Sequence, residues 1–260
     1  MPEQSASQHA VPNATGMLPC VITNGGSQPR LYDFDDMVMR LVKWHPSSHG
    51  LTSTYSELIA SRLGQLINAP IARGLIVYVE MDLVPEELRQ RVCQPFHVGF
   101  TYLAGDNFTD KDFESIHNSS ALSTAIVHLA WLQVGDQEGH NQYLYQLEQV
   151  LPDKTTRKMK QFMLIDQACL FSQHDWTNSP LDHPESPYSV PSRLRTRVAF
   201  KSVEQAIELA CSLEEATIRS CFDQYPDTWA LNPDAASRAA DYLVKRRSHL
   251  PDILRVTLSA

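Results

Sequence analysis

The sequence predicts an α+β protein in two parts, a small antiparallel sheet with one helix and then a mainly helical region. Strand-like apolar runs concentrate before residue 104, and helical periodicity dominates after it. The chain has 260 residues and is 43% apolar, which is enough to bury a large core. We therefore expect a disordered tail at 1–15, an N-lobe at 16–103 and a C-lobe at 104–260, which together form one domain.

The N-lobe begins with two predicted strands and a turn. Residues 18–21 form a short apolar run, and residues 37–44 (MVMRLVKW) alternate so that Lys43 shares a face with apolar side chains. Between them, Asn24-Gly25-Gly26-Ser27 predicts a turn, because Asn and Gly tolerate positive φ. The alternation therefore places a lysine on an otherwise apolar strand face.

One helix and two further strands complete the predicted N-lobe. Residues 54–68 carry apolar side chains at helical spacing, and the runs 74–80 and 96–103 are typical of strands. The helix follows directly after the strand that carries Lys43, so we expect the two elements to be neighbours.

The C-lobe is predicted to be helical except for one hairpin. Residues 121–134 have helical spacing, whereas 142–147 and 161–165 are strand-like and flank a turn near Asp153. Ser202-x-x-Gln205 and Ser212-x-x-Glu215 resemble capping boxes. The Asn232-Pro233 pair predicts another helix start, because Pro fits the first helical position.

Charge and cysteine usage limit the kinds of partner. Lys and Arg number 22 against 30 Asp and Glu, a net charge of −8, which argues against a general nucleic-acid binder. The five cysteines include no C-x-x-C pair, as expected in a reducing compartment. Neither a signal peptide nor an apolar run long enough to cross a bilayer is recognisable. We therefore expect a cytoplasmic protein that binds neither nucleic acid nor membrane directly.

The sharpest local pattern is the loop 135–141 (GDQEGHN), which follows the predicted helix and precedes a strand. Asp136 and Asn141 have the spacing D-x-x-x-x-N. In the catalytic loops of protein kinases, this spacing places a carboxylate at the attacking hydroxyl and an amide oxygen on Mg²⁺. A polar loop with an Asp turn has the same composition, so the motif alone leaves both interpretations open.

Asp166 ends the second strand of the predicted hairpin. A turn near Asp153 would pair residue 141 with residue 166, so that Asn141 and Asp166 lie side by side at the open end of the ladder. Two oxygen donors from neighbouring strand ends suit Mg²⁺, which takes a few hard oxygens together with substrate phosphates. A simple strand-end turn is the alternative for Asp166.

Lys43 and Glu57 are candidates for binding the phosphates of a nucleotide. A phosphotransferase needs a cation on the α- and β-phosphates of ATP and a carboxylate that holds this cation in place. Lys43 lies on a predicted strand, and Glu57 lies in the first turn of the next helix. Thr54-x-x-Glu57 is also a capping box, however, and a capping glutamate would bond the backbone N–H of Thr54 instead of Lys43.

The turn at Gly25, Gly26 and Ser27 precedes the lysine strand. Its backbone N–H groups can cradle phosphates. An ordinary hairpin turn is the alternative interpretation.

Taken in order, these segments resemble the HipA-like kinase domain, whose fold is related to that of the phosphatidylinositol kinases. The resemblance spans roughly residues 16–255 and implies a two-lobed, protein-kinase-like fold. The segments that carry it are NGGSQPRLYDFDDMVMRLVKW, TYSELIASRLGQLINAPIA, HVGFTYL, HLAWLQVGDQEGHNQYLY, MLIDQACLF and YPDTWALNPDAASRAADYLVKRRSHLP.

The resemblance implies the chemistry as well as the fold. Asp136 would be the catalytic base, and Asn141 and Asp166 would hold Mg²⁺. The implied activity is transfer of the ATP γ-phosphate to an unknown hydroxyl-bearing acceptor, which the resemblance indicates is a protein Ser or Thr.

The same resemblance implies how the nucleotide would bind. Lys43 would contact the ATP phosphates and Glu57 would anchor Lys43. The Gly25-Gly26-Ser27 turn would lie over the phosphates, and residues 96–103 would form the hinge beside adenine.

Three positions depart from the family pattern. Val134 stands where an Asn is common, Gln137 where an Arg is frequent, and Ser56 where an Asn is frequent. These departures leave open a pseudokinase that binds nucleotide or a regulatory protein partner. A small-molecule or lipid kinase on the same fold is the other alternative, because acceptor choice depends on surface loops.

Overall fold

The computed structural model describes residues 11–21, 28–107, 111–112, 116, 120–135, 142–150, 154–173 and 175–259. Its strands are β1 (Ala14–Val21), β2 (Arg30–Phe34), β3 (Arg40–Lys43), β4 (Gly74–Tyr78), β5 (Phe96–Thr101), β6 (Gly105–Asn107), β7 (Gln142–Val150) and β8 (Thr156–Leu164). Its α-helices are α1 (Leu51–Leu66), α2 (Ala121–Leu132), α3 (Ser192–Arg195), α4 (Phe200–Ser212), α5 (Glu215–Ser220), α6 (Pro233–Arg247) and α7 (Leu250–Ser259). An N-terminal sheet with one helix and a helical C-terminal part confirm the predicted α+β class.

The N-terminal sheet has five strands in the order β1-β2-β3-β5-β4, and each neighbouring pair is antiparallel. β3 lies at the centre, where Lys43 pairs with Val98 of β5. The strand β2 is not predicted from the sequence. Its residues Arg30, Leu31 and Tyr32 are buried in succession, so the strand lacks the apolar–polar alternation that marks a half-exposed strand.

Two boundaries in this part differ from the prediction. The strand expected from residue 37 begins at Arg40, because Met37 adopts a φ of 59° in the turn after β2. The tail predicted at 1–15 is wrong for its last residues, since β1 begins at Ala14. Asn13 is also held in place, because its backbone and side-chain N–H groups donate to Asp35 at 3.0 and 2.8 Å.

The second sheet has the order β6-β7-β8 and contains the predicted hairpin. Gln142 pairs with Leu164, which is one residue away from the predicted register. Both strands are longer than predicted, because the ladder continues through the exposed, charged residues Arg157 and Lys158. Apolar patterning marks only the buried end of such a hairpin.

The predicted helix starts have mixed outcomes. Both capping boxes are wrong: α4 begins after Ala199, and α5 begins after Glu214. Ser202 lies inside α4, where its hydroxyl donates to the carbonyl of Ala199 at 2.6 Å. The Asn232-Pro233 start is confirmed, because the Asn232 side chain accepts from the backbone N–H of Asp234 at 2.9 Å.

The five-stranded sheet separates two hydrophobic clusters. One face packs Tyr32, Val42 and Val77 against the segment that contains Val84 and Leu88. The other face, through Val98 and Phe100, joins a larger cluster that also contains the apolar side chains of α1, α2, α4, α6 and α7. The helix α1 thus follows the sheet in sequence but shares its core with the C-terminal helices.

Candidate active site

Lys43 is the last residue of β3 and extends toward the face of the sheet that meets α1. Its Nζ lies 5.9 Å from the ring centroid of Phe100 on the neighbouring strand β5. The lysine side chain is 12% exposed. Because burial strips water from an ammonium, such a lysine needs oppositely charged partners.

Glu57 of α1 is the first of these partners. Its Oε1 lies 2.6 Å from Lys43 Nζ, and the glutamate side chain is 6% exposed. The capping alternative for Glu57 is wrong, because α1 begins earlier, after Gly50 with a φ of 116°. Thr54 therefore lies inside the helix, where its hydroxyl donates to the carbonyl of Trp44 at 2.9 Å.

Asp166 is the second partner. It follows β8 by two residues, with a left-handed φ of 56°, and its Oδ1 accepts from Lys43 Nζ at 2.9 Å. In contrast to Glu57, its side chain is 47% exposed. One ammonium therefore joins two carboxylates that are far apart in sequence and that come from different parts of the fold.

The electrostatics favour a charged lysine. Burial acts to lower the pKa of Lys43, but the carboxylates of Glu57 and Asp166 outweigh this effect and raise it above its usual value. The ammonium thus stays charged, and one of its two partners is half exposed to solvent. The arrangement is suited to polyanionic ligands such as nucleoside phosphates.

The other predicted site residues lie outside the described residues. These are Asp136 and Asn141 of the loop 135–141, and Gly25, Gly26 and Ser27 of the predicted turn. The structure does describe where the chain enters and leaves both segments. Val21 pairs with Arg30, so the turn segment joins neighbouring antiparallel strands, and Gln142 pairs with Leu164, close to Asp166.

The entry to the loop 135–141 is fixed by the segment after Asp166. The Gly135 N–H donates to the carbonyl of Cys169 at 2.8 Å, and the Ser172 N–H donates to the carbonyl of Gln133 at 2.7 Å. Tyr188 adds a third contact, because its hydroxyl donates to the carbonyl of Val134 at 2.8 Å. The chain that leads into Asp136 is therefore bonded to the segment that begins at Asp166.

The helix α1 is also held by residues from the C-terminal part of the chain, and these contacts were not predicted from the sequence. The Tyr55 hydroxyl donates to the carbonyl of Phe222 at 2.5 Å, and Arg62 donates to the carbonyl of Asp223 at 2.6 Å. The Trp176 indole N–H donates to the Ser56 hydroxyl at 2.9 Å. No local motif indicates these contacts, because the partners are remote in sequence.

A divalent metal would need oxygen ligands at this site. Within the described residues, no group of three or more His, Cys, Asp and Glu side chains is placed to hold a metal. Asp166 supplies a half-exposed carboxylate at a strand end, which is a hard oxygen donor of the type that Mg²⁺ prefers. A metal bound by Asp166 would therefore need further oxygen ligands.

The described helices can be compared with the prediction that the chain has no membrane-spanning segment. No helix among them combines the length and the apolar character required to cross a bilayer.

Comparison with known proteins gives the fold. No protein-family model and no curated protein matches the sequence. The structure is similar to that of a Helicobacter pylori proinflammatory kinase, CtkA, with a TM-score of 0.62 and 12% identity over 94% of this chain and 96% of that chain.

Two structures of the Golgi casein kinase are also similar. The one with Mn/ADP bound has a TM-score of 0.52 and 9% identity over 95% of this chain and 74% of that chain. The other has a TM-score of 0.52 and 10% identity over 94% of this chain and 74% of that chain. At these identities the likeness concerns the fold. The chain therefore has a protein-kinase-like fold, which confirms the fold class expected from the sequence.

Proposed function

We propose that this chain is an ATP- and Mg²⁺-dependent phosphotransferase of the HipA-like type, acting on a Ser or Thr of a protein. The observation that carries the proposal is the ammonium of Lys43, placed within 3 Å of both Glu57 and Asp166 in a kinase-like fold. Kinases need a lysine on the nucleotide phosphates, a glutamate that anchors it and an aspartate at the metal. The three residues have the chemistry and the juxtaposition for these roles.

Lys43 binds the nucleotide phosphates, and Glu57 orients Lys43. The ammonium pairs with the negative phosphate oxygens, and the buried Glu57 holds Lys43 in a single orientation. The predicted Gly25-Gly26-Ser27 turn, which lies between β1 and β2 in sequence, would contribute backbone N–H groups over the phosphates. Adenine would lie beside the hinge at 96–103, on the same face of the sheet as Phe100.

Asp166 and Asn141 would hold the metal, and Asp136 would act on the acceptor. Mg²⁺ supplies neutralisation of the phosphate charge when it is bound. Asp166, whose side chain is half exposed, would be one of the residues that hold the metal. Asp136 accepts the proton of the acceptor hydroxyl and orients it for in-line attack.

The nucleotide and metal parts of the proposal are supported by the Golgi casein kinase, whose similar structure has Mn/ADP bound. The HipA-like assignment is supported by the six segments that occur in the order typical of that family. The acceptor class follows from the same resemblance.

Transfer of radiolabelled γ-phosphate from Mg-ATP, to the protein itself and to casein as a general acceptor, tests the proposal. We expect Asp136→Ala to lower transfer at least about a hundredfold, since it removes the general base. The control is Asp182→Ala, an exposed aspartate outside the proposed site. Transfer by Asp136→Ala at the wild-type rate would overturn the proposed base, and Mg-ATP binding without transfer by the wild type would favour a pseudokinase.

A further inference from the structure

Trp176 contacts α1 at Ser56 and is not used by the proposed chemistry. Its side chain is 1% exposed, and its indole N–H donates to the hydroxyl of Ser56 at 2.9 Å. Ser56 is fully buried and directly precedes Glu57 in the helix. The hydrogen bond therefore holds α1 at the residue next to the one that contacts Lys43.

Aromatic packing fixes the indole itself. The Trp176 ring lies 5.6 Å from Phe171, edge to face, and 5.9 Å from Tyr55 of α1. Phe171 adopts a left-handed φ of 55° in the turn that follows Asp166. Trp176 is thus wedged between this turn and α1, and its own position depends on both.

The segment from Asp166 to Trp176 contacts Lys43, the helix α1 and the chain that enters the loop 135–141. At one end, Asp166 bonds Lys43 at 2.9 Å, and at the other end Trp176 bonds α1. Between them, Cys169 and Ser172 bond the chain that enters the loop 135–141. Lys43 therefore contacts the segment 166–176 in two ways. It bonds Asp166 directly, and it is connected to Trp176 through Glu57 and α1.

We infer that Trp176 is a positioning residue for Glu57, and that it couples α1 to the segment that carries Asp166. This inference rests on the proposed function, because it explains how the lysine, glutamate and aspartate stay assembled. A hydrogen bond between two buried groups specifies a position more sharply than apolar packing, because a shift of α1 would leave both groups unpaired. Trp176 acts on the nucleotide through Glu57 and does not itself contact it.

Binding of Mg-ATP, measured by isothermal titration, tests the inference with two variants that remove the same bond. Ser56→Ala removes the acceptor, and Trp176→Phe removes the donor while an aromatic ring is retained. We expect each to weaken Mg-ATP binding about fivefold, the order of one hydrogen bond, and the double variant to be no weaker than either single variant.

The chain offers matched controls for both changes. Ser53→Ala removes another buried hydroxyl of α1, one for which the described residues provide no hydrogen-bond partner. Trp131→Phe removes an equally buried indole that donates to the carbonyl of Leu243 at 2.9 Å, among the C-terminal helices. Both controls should bind Mg-ATP like the wild type.

A double-mutant cycle that combines Trp176→Phe with Glu57→Gln distinguishes positioning of Glu57 from a general loss of structure. Its readout is the affinity for Mg-ATP. If Trp176 acts through Glu57, Trp176→Phe has no further effect on Mg-ATP affinity once Glu57 is changed. An equal loss in both backgrounds, or wild-type affinity in Ser56→Ala, would overturn the inference.

Hydrogen exchange of the α1 amides without nucleotide tests the same coupling independently of binding. Ser56→Ala should speed exchange around residues 54–60, whereas Ser53→Ala should not. If the wild type fails to bind Mg-ATP, the proposed function fails, but this exchange result still decides whether Trp176 positions α1. Unchanged exchange in Ser56→Ala would contradict the inference.

Discussion

Glu57 and Asp166, the two carboxylates that share Lys43, differ in their burial and in the backbone that carries them. Glu57 is 6% exposed, lies in the middle of a helix and is fixed by contacts on both sides of that helix. Asp166 is 47% exposed and lies on left-handed backbone after a strand. We therefore expect Lys43 to have one permanent partner, Glu57, and one that can be exchanged, Asp166.

This difference suits a site that binds charged ligands reversibly. A lysine with two buried carboxylates would be neutralised and closed to phosphate, whereas a lysine with none would be costly to bury. One buried and one accessible partner keep the ammonium charged and oriented, and they leave Asp166 accessible to a metal. The following changes break the two bonds separately.

Glu57→Ala should give the largest loss of stability. It leaves the largely buried ammonium of Lys43 with Asp166 alone, and breaking a buried pair costs about 3 kcal/mol or more. Urea unfolding of the variant and the wild type measures the difference. A loss below about 1 kcal/mol would show that the Lys43–Glu57 pair behaves as a surface ion pair.

Changing both members of the buried pair should restore much of that stability. In Lys43→Met/Glu57→Leu no charge is left buried, and apolar replacement of a buried ion pair is often neutral or favourable. We expect urea unfolding to give this variant a free energy of unfolding about 2 kcal/mol higher than that of Glu57→Ala. It should still fail to bind Mg-ATP, because the cation is gone, and Mg-ATP binding by it would contradict the role given to Lys43.

Asp166→Ala should have the smallest effect on stability, below about 1 kcal/mol, because its carboxylate is half exposed to water. Urea unfolding beside Asp182→Ala provides the measurement and its control. A loss as large as that of Glu57→Ala would remove the distinction between a permanent and an exchangeable partner.

Much of this site was accessible from the sequence because its signals are local. Strand alternation placed Lys43 on an otherwise apolar strand face, and Glu57 was placed in the first turn of the next helix. The hairpin brought Asp166 to a strand end, although the register differed by one residue. Lys43 Nζ lies 2.6 Å from Glu57 and 2.9 Å from Asp166, while the roles of all the predicted site residues remain predictions.

The rest was not accessible because it depends on long-range packing. Ser56 and Trp176 are 120 residues apart, and a lone tryptophan has no spacing that would indicate its partner. The strand β2 was missed because it is buried on successive positions, and the capping boxes were wrong because Ser202 bonds within its helix. Long-range contact therefore explains the Ser56–Trp176 bond and β2, whereas at Ser202 a local hydrogen bond within α4 competed with the predicted cap.

A thermal melt with and without millimolar Mg-ATP tests the central claim most directly, with Asp166→Ala and Asp182→Ala beside the wild type. A ligand present at about 100 times its Kd adds about 2.7 kcal/mol to the stability of the folded state. We predict a clear magnesium-dependent rise in Tm for the wild type and Asp182→Ala that is lost in Asp166→Ala. No shift in the wild type, or an equal shift in Asp166→Ala, would contradict the claim that Lys43, Glu57 and Asp166 form a nucleotide site.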